Sequence, residues 1–344
     1  MKSIQILSLL ALATCQPLAH DWTGARPDGH APIGVMGEHY HKRNEWMLSY
    51  RHMYMTMEGN RNGTDNLSIG QVAGTFPVVP TRMDMQMHMV GVMYAPTDNL
   101  TLMGMLPYQN IEMDHINVGG VGGLAAGTVF TTQTDGIGDL KFGGLIKLYN
   151  QHGNSVHLNL GVSLPTGSID EQDVAPGPGG FIRRVLPYPM QLGSGTFDLK
   201  PGFTYLGQTP DWSWGAQVLG TVRIDENDRN YKLGDKVESS TWIARRMSDW
   251  LSTSFRLNAQ AWGNISGQDL RLGAGPGFPV ETADPNRRGG SRLDALLGAN
   301  IYFRKGWLKG HRIAIEGGLP VYQYLDGPQL ETDWVMTLGW QYAF

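Results

Sequence analysis

Methionine and histidine are concentrated in the first third of this chain, and both side chains bind soft metal ions. Fourteen of the 17 methionines lie at or before Met113. The same region contains His39-Tyr40-His41, whose two imidazoles can chelate one ion from an extended backbone. Thioether and imidazole ligands together favour Cu(I) or Ag(I) over Mg²⁺ or Ca²⁺. These residues predict a soft-metal site with Cu(I) as the candidate ion, while no cofactor is required.

The candidate metal ligands form two groups, one before the first predicted strand and one on the first three strands. Side chains alternate between the faces of a strand, so an inward Arg51 brings the methionines of its strand inward too. The candidate ligands are His30, Met36, His39 and His41 in the first group, and Met53, Met55, Met57, His88, Met103 and Met105 in the second. The alternative is that methionine is a flexible apolar filler and the histidines belong to a tether.

The second predicted strand has two faces of different polarity. Arg82, Asp84, Gln86 and His88 share one face, and the methionines from Met83 to Met89 share the other. Because a charged side chain at the membrane midplane costs about 2–4 kcal/mol, we expect the polar face to point inward and these methionines to face lipid. His88 would then lie among the inward methionines of the neighbouring strands, where facing rows are about 5 Å apart.

The elements that must position these residues are strands. Only 17% of the residues are charged, and 41% are hydrophobic without forming long apolar runs beyond the N-terminus. Segments of alternating apolar and polar character are separated by connections that are short and long in turn, which is typical of outer-membrane barrels. The pattern predicts an all-β fold, a transmembrane antiparallel up-and-down β-barrel of about 12 strands over residues 45–344. The last two predicted strands cover residues 309–323 and 330–344.

The residues before the barrel are predicted to form two segments. Residues 1–19 have the short positive start, apolar core and small-residue exit of a secretory signal peptide. Residues 20–44 form a periplasmic or lumenal segment that contains His, Met and Gly and that could cap or enter the lumen. Cys15 lies inside the signal peptide, and the sequence leaves its lipidation open. We expect the mature protein in the outer membrane of a Gram-negative bacterium.

The polar rows of the strands are predicted to line the lumen. The candidate pore-lining residues are Arg51, Asp84, Lys141, Asn159, Arg223, Arg256, Asn258 and Glu316. Such residues set the selectivity of a pore, or alternatively form internal ion pairs that make a narrow barrel rigid. The formal net charge is −4, from 27 Lys and Arg against 31 Asp and Glu, and no long basic block is present. This balance argues against a nucleic-acid partner.

The C-terminal strand indicates which partners the chain meets. Trp334, Trp340, Tyr342 and Phe344 share one face and would form aromatic belts at the membrane interfaces. The terminal pattern resembles the signal read by the barrel assembly machinery. The expected partners are therefore outer-membrane lipid and lipopolysaccharide, the assembly machinery, and a small solute or metal ion.

Three short motifs resemble a known family. They are Gly136-Ile137-Gly138-Asp139-Leu140-Lys141-Phe142-Gly143, Leu164-Pro165-Thr166-Gly167 and Gly193-Ser194-Gly195-Thr196-Phe197-Asp198-Leu199. The likeness is to the MetA-pathway of phenol degradation family, a set of proposed outer-membrane transporters. The resemblance implies a barrel that passes small, hydrophobic compounds.

The sequence therefore predicts an outer-membrane channel for small solutes, with soft metal ions such as copper bound at a Met/His-rich lumenal site. The alternatives are an uptake porin for small hydrophobic or aromatic compounds, and a structural or lipid-modifying barrel without transport. We expect no enzymatic activity. Ser155 and His157 have the spacing of a lipid hydrolase, but they lie at the periplasmic end of the lumenal row, and no orienting Asn or Asp is evident.

Overall fold

A computed structural model describes residues 22–273 and 277–344. The predicted signal peptide and Cys15 lie outside the described residues. The strands are β1 Trp46–Gly63, β2 Asp65–Leu67, β3 Val78–Thr97, β4 Leu100–Asn117, β5 Thr128–Ile137, β6 Leu140–Gln151, β7 Asn154–Leu164, β8 Gln172–Gly177, β9 Gly180–Val185, β10 Phe197–Gln208, β11 Trp212–Ile224, β12 Tyr231–Lys232, β13 Lys236–Arg246, β14 Leu251–Trp262, β15 Ser266–Gly267, β16 Gly290–Tyr302 and β17 His311–Ala343.

The helices are short. They are α1 Ile69–Ala73 and the 3-10 helices Val121–Gly123, Tyr188–Met190, Leu270–Leu272, Glu281–Ala283 and Pro285–Arg287. Within the described ranges, no helix has both the length and the apolar character needed to cross a membrane.

Eleven strands form one closed antiparallel ring. Each strand pairs with the next ring strand along the chain, and β17 closes the ring by pairing with β1. The ring contains β1, β3, β4, β6, β7, β10, β11, β13, β14, β16 and β17, while β2 and β5 pair with β1 and β4 outside it. The prediction of an all-β, closed antiparallel barrel is confirmed.

The predicted number of about twelve strands differs by one from the eleven in the ring. The two strands predicted over residues 309–323 and 330–344 form the single continuous strand β17. Its first part pairs with β16 and its last part with β1. The strand folds back on itself, because Arg312 donates to Gln341 at one end and Gln323 exchanges hydrogen bonds with Thr332 near the reversal. Extended pairing continues through this reversal without a separate loop.

The outer surface of the barrel is apolar and the inner surface is polar. On β14, Ser252, Arg256 and Asn258 are buried, whereas the alternate residues Phe255 and Leu257 are exposed. The same alternation, continued along the other ring strands, makes a broad apolar exterior. Exposed apolar surface of this extent needs a covering phase, and the hydrocarbon of a membrane provides it.

The two ends of the barrel differ. Short turns join β3 to β4, β6 to β7 and β10 to β11 at one end. The opposite end carries the long loops, including the β8–β9 hairpin and the short β12–β15 pair. An apolar cluster packs these loops together, with Val72, Phe76, Tyr188 and Tyr231 among its buried members. Outer-membrane barrels have short periplasmic turns and longer extracellular loops, so these loops narrow the external mouth of the barrel and the short turns mark its periplasmic end.

Replacing the outward Leu257 by arginine should destabilise the barrel by about 2–4 kcal/mol, because the charge is placed near the middle of the lipid-facing band. The free energy of unfolding in lipid vesicles measures the effect. Leu270→Arg is the matched control, since Leu270 is exposed in an external loop. Equal stability of the two variants would contradict the assigned outer face.

Candidate functional site

The N-terminal segment, residues 22–44, lies inside the barrel, and we refer to it as the plug. The carbonyl oxygen of Gly37 lies 3.1 Å from Nε2 of His157 and accepts a 2.8 Å hydrogen bond from the amide of Asn159. The Ser155 hydroxyl donates to Tyr40 over 3.3 Å. The predicted lumenal or periplasmic segment therefore occupies the lumen, and both residues with hydrolase spacing contact it.

A buried ion pair anchors the middle of the plug. Arg256 donates to both carboxylate oxygens of Glu316 over 2.8 and 2.9 Å, and the backbone N–H of Gly34 donates to the same carboxylate over 3.0 Å. A Cβ on Gly34 would lie 2.4 Å from both side chains, so only glycine fits at this position. Because a carboxylate with several donors is well satisfied, this contact fixes the plug on β14 and β17.

Other lumenal side chains satisfy the remaining backbone of the plug. Arg51 donates to the carbonyl of Ile33 over 3.1 Å, and Arg312 donates to the carbonyl of Ala31 over 2.5 Å. Ser252 donates to the carbonyl of Pro27 over 2.8 Å, and Gln217 donates to the carbonyl of Met36 over 2.9 Å. Among the described residues, the plug pairs with no strand. These side chains therefore supply the hydrogen bonds that a neighbouring strand would otherwise give to its carbonyl groups.

The predicted pore-lining residues are divided between the two faces of the barrel. Arg51, Asn159, Arg256 and Glu316 contact the plug, as described above. Asn258 accepts a hydrogen bond from Ser240 in the lumen. Lys141 is paired in register with the buried lumenal Ser163, and Arg223 forms an ion pair with Asp198.

Asp84 and His88 lie on the outer face, which corrects the prediction that they point inward. Both belong to the row of β3 that continues into the exposed Val90. His88 and the outward Tyr50 share a 2.7 Å hydrogen bond. The Asp84 carboxylate accepts hydrogen bonds from Arg82 and from the hydroxyl of Tyr54. The polar row is tolerated outside because its groups bond to one another.

The opposite row of β3 completes a continuous face of methionines in the lumen, which we call the methionine wall. It consists of Met47, Met53, Met55 and Met57 on β1, Met83, Met85, Met87, Met89 and Met93 on β3, and Met103, Met105 and Met113 on β4. The three strands pair in one register, in which Met55 opposes Met85 and Met93 lies between Met47 and Met103. The expectation that Met83 to Met89 face lipid is therefore wrong.

A cavity of about 340 Å³ lies at the external end of the methionine wall. Met57, Met83, Met85 and Met113 form its apolar side. The other side includes three cations, Arg223, Lys236 and Arg288. Burial lowers the pKa of Arg288, which lies in an external loop, to about 10, so it is charged at neutral pH. This cavity combines an apolar wall with a positive one.

A second cluster lies within the plug. His30, Glu38 and His39 are buried, and one potential ligand atom of each lies within 4.8 Å of the others. Nδ1 of His30 is 3.3 Å from the Glu38 carboxylate, and Nδ1 of His39 contacts its other oxygen. The ring of His41 lies 4.7 Å from that of His39, between centroids. The backbone carbonyl of Met36 accepts a hydrogen bond from Gln217.

Burial and mutual contact change the protonation of this cluster. Burial lowers the pKa of His30 to about 3, although the hydrogen bond with Glu38 opposes the shift. Burial alone would raise the pKa of Glu38, but the charge of His39 and the hydrogen bonds from both rings hold it well below its ordinary range. The neutral His30 imidazole and the ionised Glu38 carboxylate are forms that bind metal ions.

Sequence reasoning missed several residues of these sites. Glu38 was not among the candidate ligands, although it directly precedes His39 in the sequence. Arg312, which is buried beside the plug, and Lys236 in the external cavity were also missed. A useful signal was available for Glu38, because a carboxylate next to a histidine pair often completes or supports a metal site.

The chain is similar to several solved structures, the first of which supports the barrel fold. The COG4313 outer membrane channel from Pseudomonas putida F1 matches with a TM-score of 0.58 and 11% identity, over 90% of this chain and 98% of that chain. A Pseudomonas aeruginosa FadL homologue matches with a TM-score of 0.39 and 11% identity, over 87% and 89% of the two chains. The KdgM porin matches with a TM-score of 0.36 and 9% identity, over 87% and 99%.

No protein-family model matches the sequence, and no curated protein does. Membership in the MetA-pathway family therefore stays a prediction. The closed ring, its apolar exterior and the likeness to the Pseudomonas putida fold define the class of protein. The chain is an outer-membrane β-barrel of a Gram-negative bacterium, with an N-terminal plug in its lumen.

Replacing Glu316 by glutamine should destabilise the protein by about 3–5 kcal/mol, because Arg256 is left as an uncompensated buried charge. Chemical unfolding in detergent measures the change. Asp249→Asn is the control, since the Arg246–Asp249 pair lies in an exposed turn and should contribute less than about 1 kcal/mol. A loss no larger for Glu316→Gln than for the control would show that this pair does not anchor the plug.

Proposed function

We propose that this barrel is a channel for small solutes and that soft metal ions, Cu(I) or Ag(I), move along the methionine wall. The observation that supports it is the collection of twelve thioethers on one lumenal face of three adjacent strands. Thioether sulfur is a soft ligand, and weak, numerous ligands allow an ion to exchange from one to the next. The structural likeness to an outer membrane channel supports the wider class of function.

The course of the methionine wall fits this role. Met57, Met83 and Met113 lie beside the external cavity. At the other end, Met103 lies beside the plug, because a Cβ built on Gly37 would be 3.4 Å from the Met103 sulfur. The wall therefore connects the external cavity with the plug.

Apart from Arg288 in the external cavity, several cations near this wall are paired with carboxylates, and Arg292, which contacts the Met55 sulfur, pairs with Asp294. Arg256 is paired with Glu316. Arg223 is paired with Asp198. The pairs neutralise much of the positive potential that would otherwise repel a monovalent cation.

Replacing both Met55 and Met85 by leucine should weaken Cu(I) binding at least about tenfold, as expected for the loss of metal-site groups. Leucine has nearly the same volume as methionine, so the packing is kept while the sulfur is removed. Binding is measured on the purified protein by competition with a chromogenic Cu(I) chelator under reducing conditions. Met336→Leu is the control, because Met336 pairs with the outward Tyr54.

Transport is tested by Ag⁺ entry into liposomes that contain the reconstituted protein. We expect entry through the wild type and the Met336→Leu variant, and slower entry through the double variant. Equal rates in all three proteins would exclude the methionine wall as the route. No flux of Ag⁺ or of any other small solute would instead favour a structural or lipid-modifying barrel.

A specific observation favours a second candidate, the uptake of small hydrophobic or aromatic compounds. The external cavity places cations opposite its methionines. Among these cations, Arg288 has buried Nε and Nη2 atoms that lack hydrogen-bond partners in the described part of the chain. An aromatic ring carrying a carboxylate would contact both walls, because methionine packs well against aromatic rings and arginine binds carboxylates with two hydrogen bonds.

Replacing Arg288 by glutamine should abolish binding of phenylacetate if the second candidate is correct, since the carboxylate loses its cation. Binding is measured by tryptophan fluorescence, because Trp262 lines the same cavity. The Met55→Leu and Met85→Leu double variant should keep this affinity. Failure of wild-type protein to bind phenylacetate would remove this candidate and leave the soft-metal proposal untouched.

A further inference from the structure

We propose that the plug contains a metal site of its own, in which His30, Glu38 and His39 bind one divalent ion of borderline softness, Zn²⁺ or Cu²⁺. This site uses nitrogen and oxygen ligands and does not depend on the methionine wall. Its ion is held in place rather than transported. The proposal thus goes beyond the proposed function and stands or falls separately from it.

The geometry of the three residues is close to that of a metal site. Ligands at about 2.1 Å from a tetrahedral ion are about 3.4 Å from one another. One ligand atom of each residue lies within 4.8 Å of the others, and His30 and Glu38 are already 3.3 Å apart. Side-chain movements of about an ångström would bring ligand atoms that are up to 4.8 Å apart to the spacing of a tetrahedral site.

The donor set is that of an open transition-metal site. Two imidazoles and one carboxylate bind Zn²⁺ or Cu²⁺ and leave a fourth position for water or another ligand. His41 adds an independent observation, since it is buried and its Nε2 lacks a hydrogen-bond partner among the described residues. The ring of His41 adjoins that of His39, so it can supply the fourth ligand after rotation.

An ion can reach the cluster from the periplasmic end of the barrel. A cavity of about 1060 Å³ is lined by His30, His39 and His41. The same cavity extends to Asp98 and Asn150, which lie at or beside the short turns. The ligands are therefore buried in the plug but face a space wide enough for a hydrated ion.

One neighbouring charge limits the affinity. Nη1 of Arg312 lies 3.6 Å from the Glu38 carboxylate, so this carboxylate already balances one cation. Arg312 is fixed by hydrogen bonds to Ala31, Gln341 and Asn300. Because the guanidinium stays in place, it opposes a bound cation, and we expect weaker binding than at a site without a neighbouring cation.

The position of the site gives the ion a structural effect. His30 and Glu38 lie on either side of the stretch from Ile33 to Gly37, whose backbone groups bond to the barrel wall. An ion that joins His30 to Glu38 would close this stretch into a loop and favour the seated plug. Metal binding should therefore lower the conductance of the barrel.

The test is titration of the metal-free, full-chain protein with Zn²⁺ and, separately, with Cu²⁺, followed by calorimetry. We expect one ion bound per chain in the wild type, and an affinity reduced at least about tenfold in His39→Gln and in Glu38→Gln. His152→Asn is the matched control, because His152 is exposed at a periplasmic turn with φ of +53°, a conformation that asparagine tolerates. The control should bind as the wild type does.

Planar-bilayer conductance supplies the second measurement. Zn²⁺ added on the periplasmic side should reduce the current through the wild type and the His152→Asn variant, but not through His39→Gln. Heat-dependent mobility in detergent gels verifies that each variant forms a barrel. Failure of the wild type to bind, or equal binding by His39→Gln and the wild type, would overturn the proposal. The Met55→Leu and Met85→Leu double variant should keep the site, so this outcome is independent of the methionine wall.

Discussion

Every polar group of the backbone that is removed from water needs a hydrogen-bond partner, and this requirement shapes both layers of the molecule. The barrel meets it by pairing each ring strand with two neighbours and closing β17 on β1. The plug has no neighbouring strand and meets the same requirement with side chains. Arg51, Arg312 and Asn159 reach from the wall to its carbonyl groups. The lumen is polar chiefly because it holds this segment.

The methionine wall is the part of the lumen that does not follow this rule. Its thioethers form few hydrogen bonds, so on these three strands the plug is held by other side chains, such as Arg51 and Thr101. Met47 and Met93 pack with Leu145 at the periplasmic end, and Met83 and Met113 pack with external-loop residues such as Leu186. Further anchors of the plug lie on β7, β11, β14 and β17, while the methionine face offers a soft and adaptable surface.

The fold could be predicted from the sequence because apolar and polar side chains alternate along a strand that has one face in lipid. Charged residues such as Arg256 occupy the polar positions of this pattern. Arg256 and Glu316 were placed in the lumen by this reasoning, and both lie there. The assignment of β3 failed because both of its faces are compatible with either environment. Methionine is apolar enough for lipid, and the polar side chains of the other row, such as His88 and Asp84, bond to neighbouring side chains outside the lumen.

The composition of the plug cluster was predictable only in part. His30, His39 and His41 stand out by residue type, but their approach to one another depends on the path of a segment without regular secondary structure. That path is set by distant contacts, such as Gly34 with Glu316 and Ser252 with Pro27. The sequence places Glu38 directly before His39, but its position between two imidazoles depends on the same distant contacts.

The most direct test of this account is the orientation of β3 in lipid. Spin labels placed singly at Met85, Gln86 and His88 can be probed with oxygen, which concentrates in lipid, and with a water-soluble nickel chelate. With the methionines in the lumen, the label at position 85 should collide with the nickel chelate, and the labels at positions 86 and 88 should collide with oxygen. The reverse order would place the methionines in lipid and contradict the methionine wall.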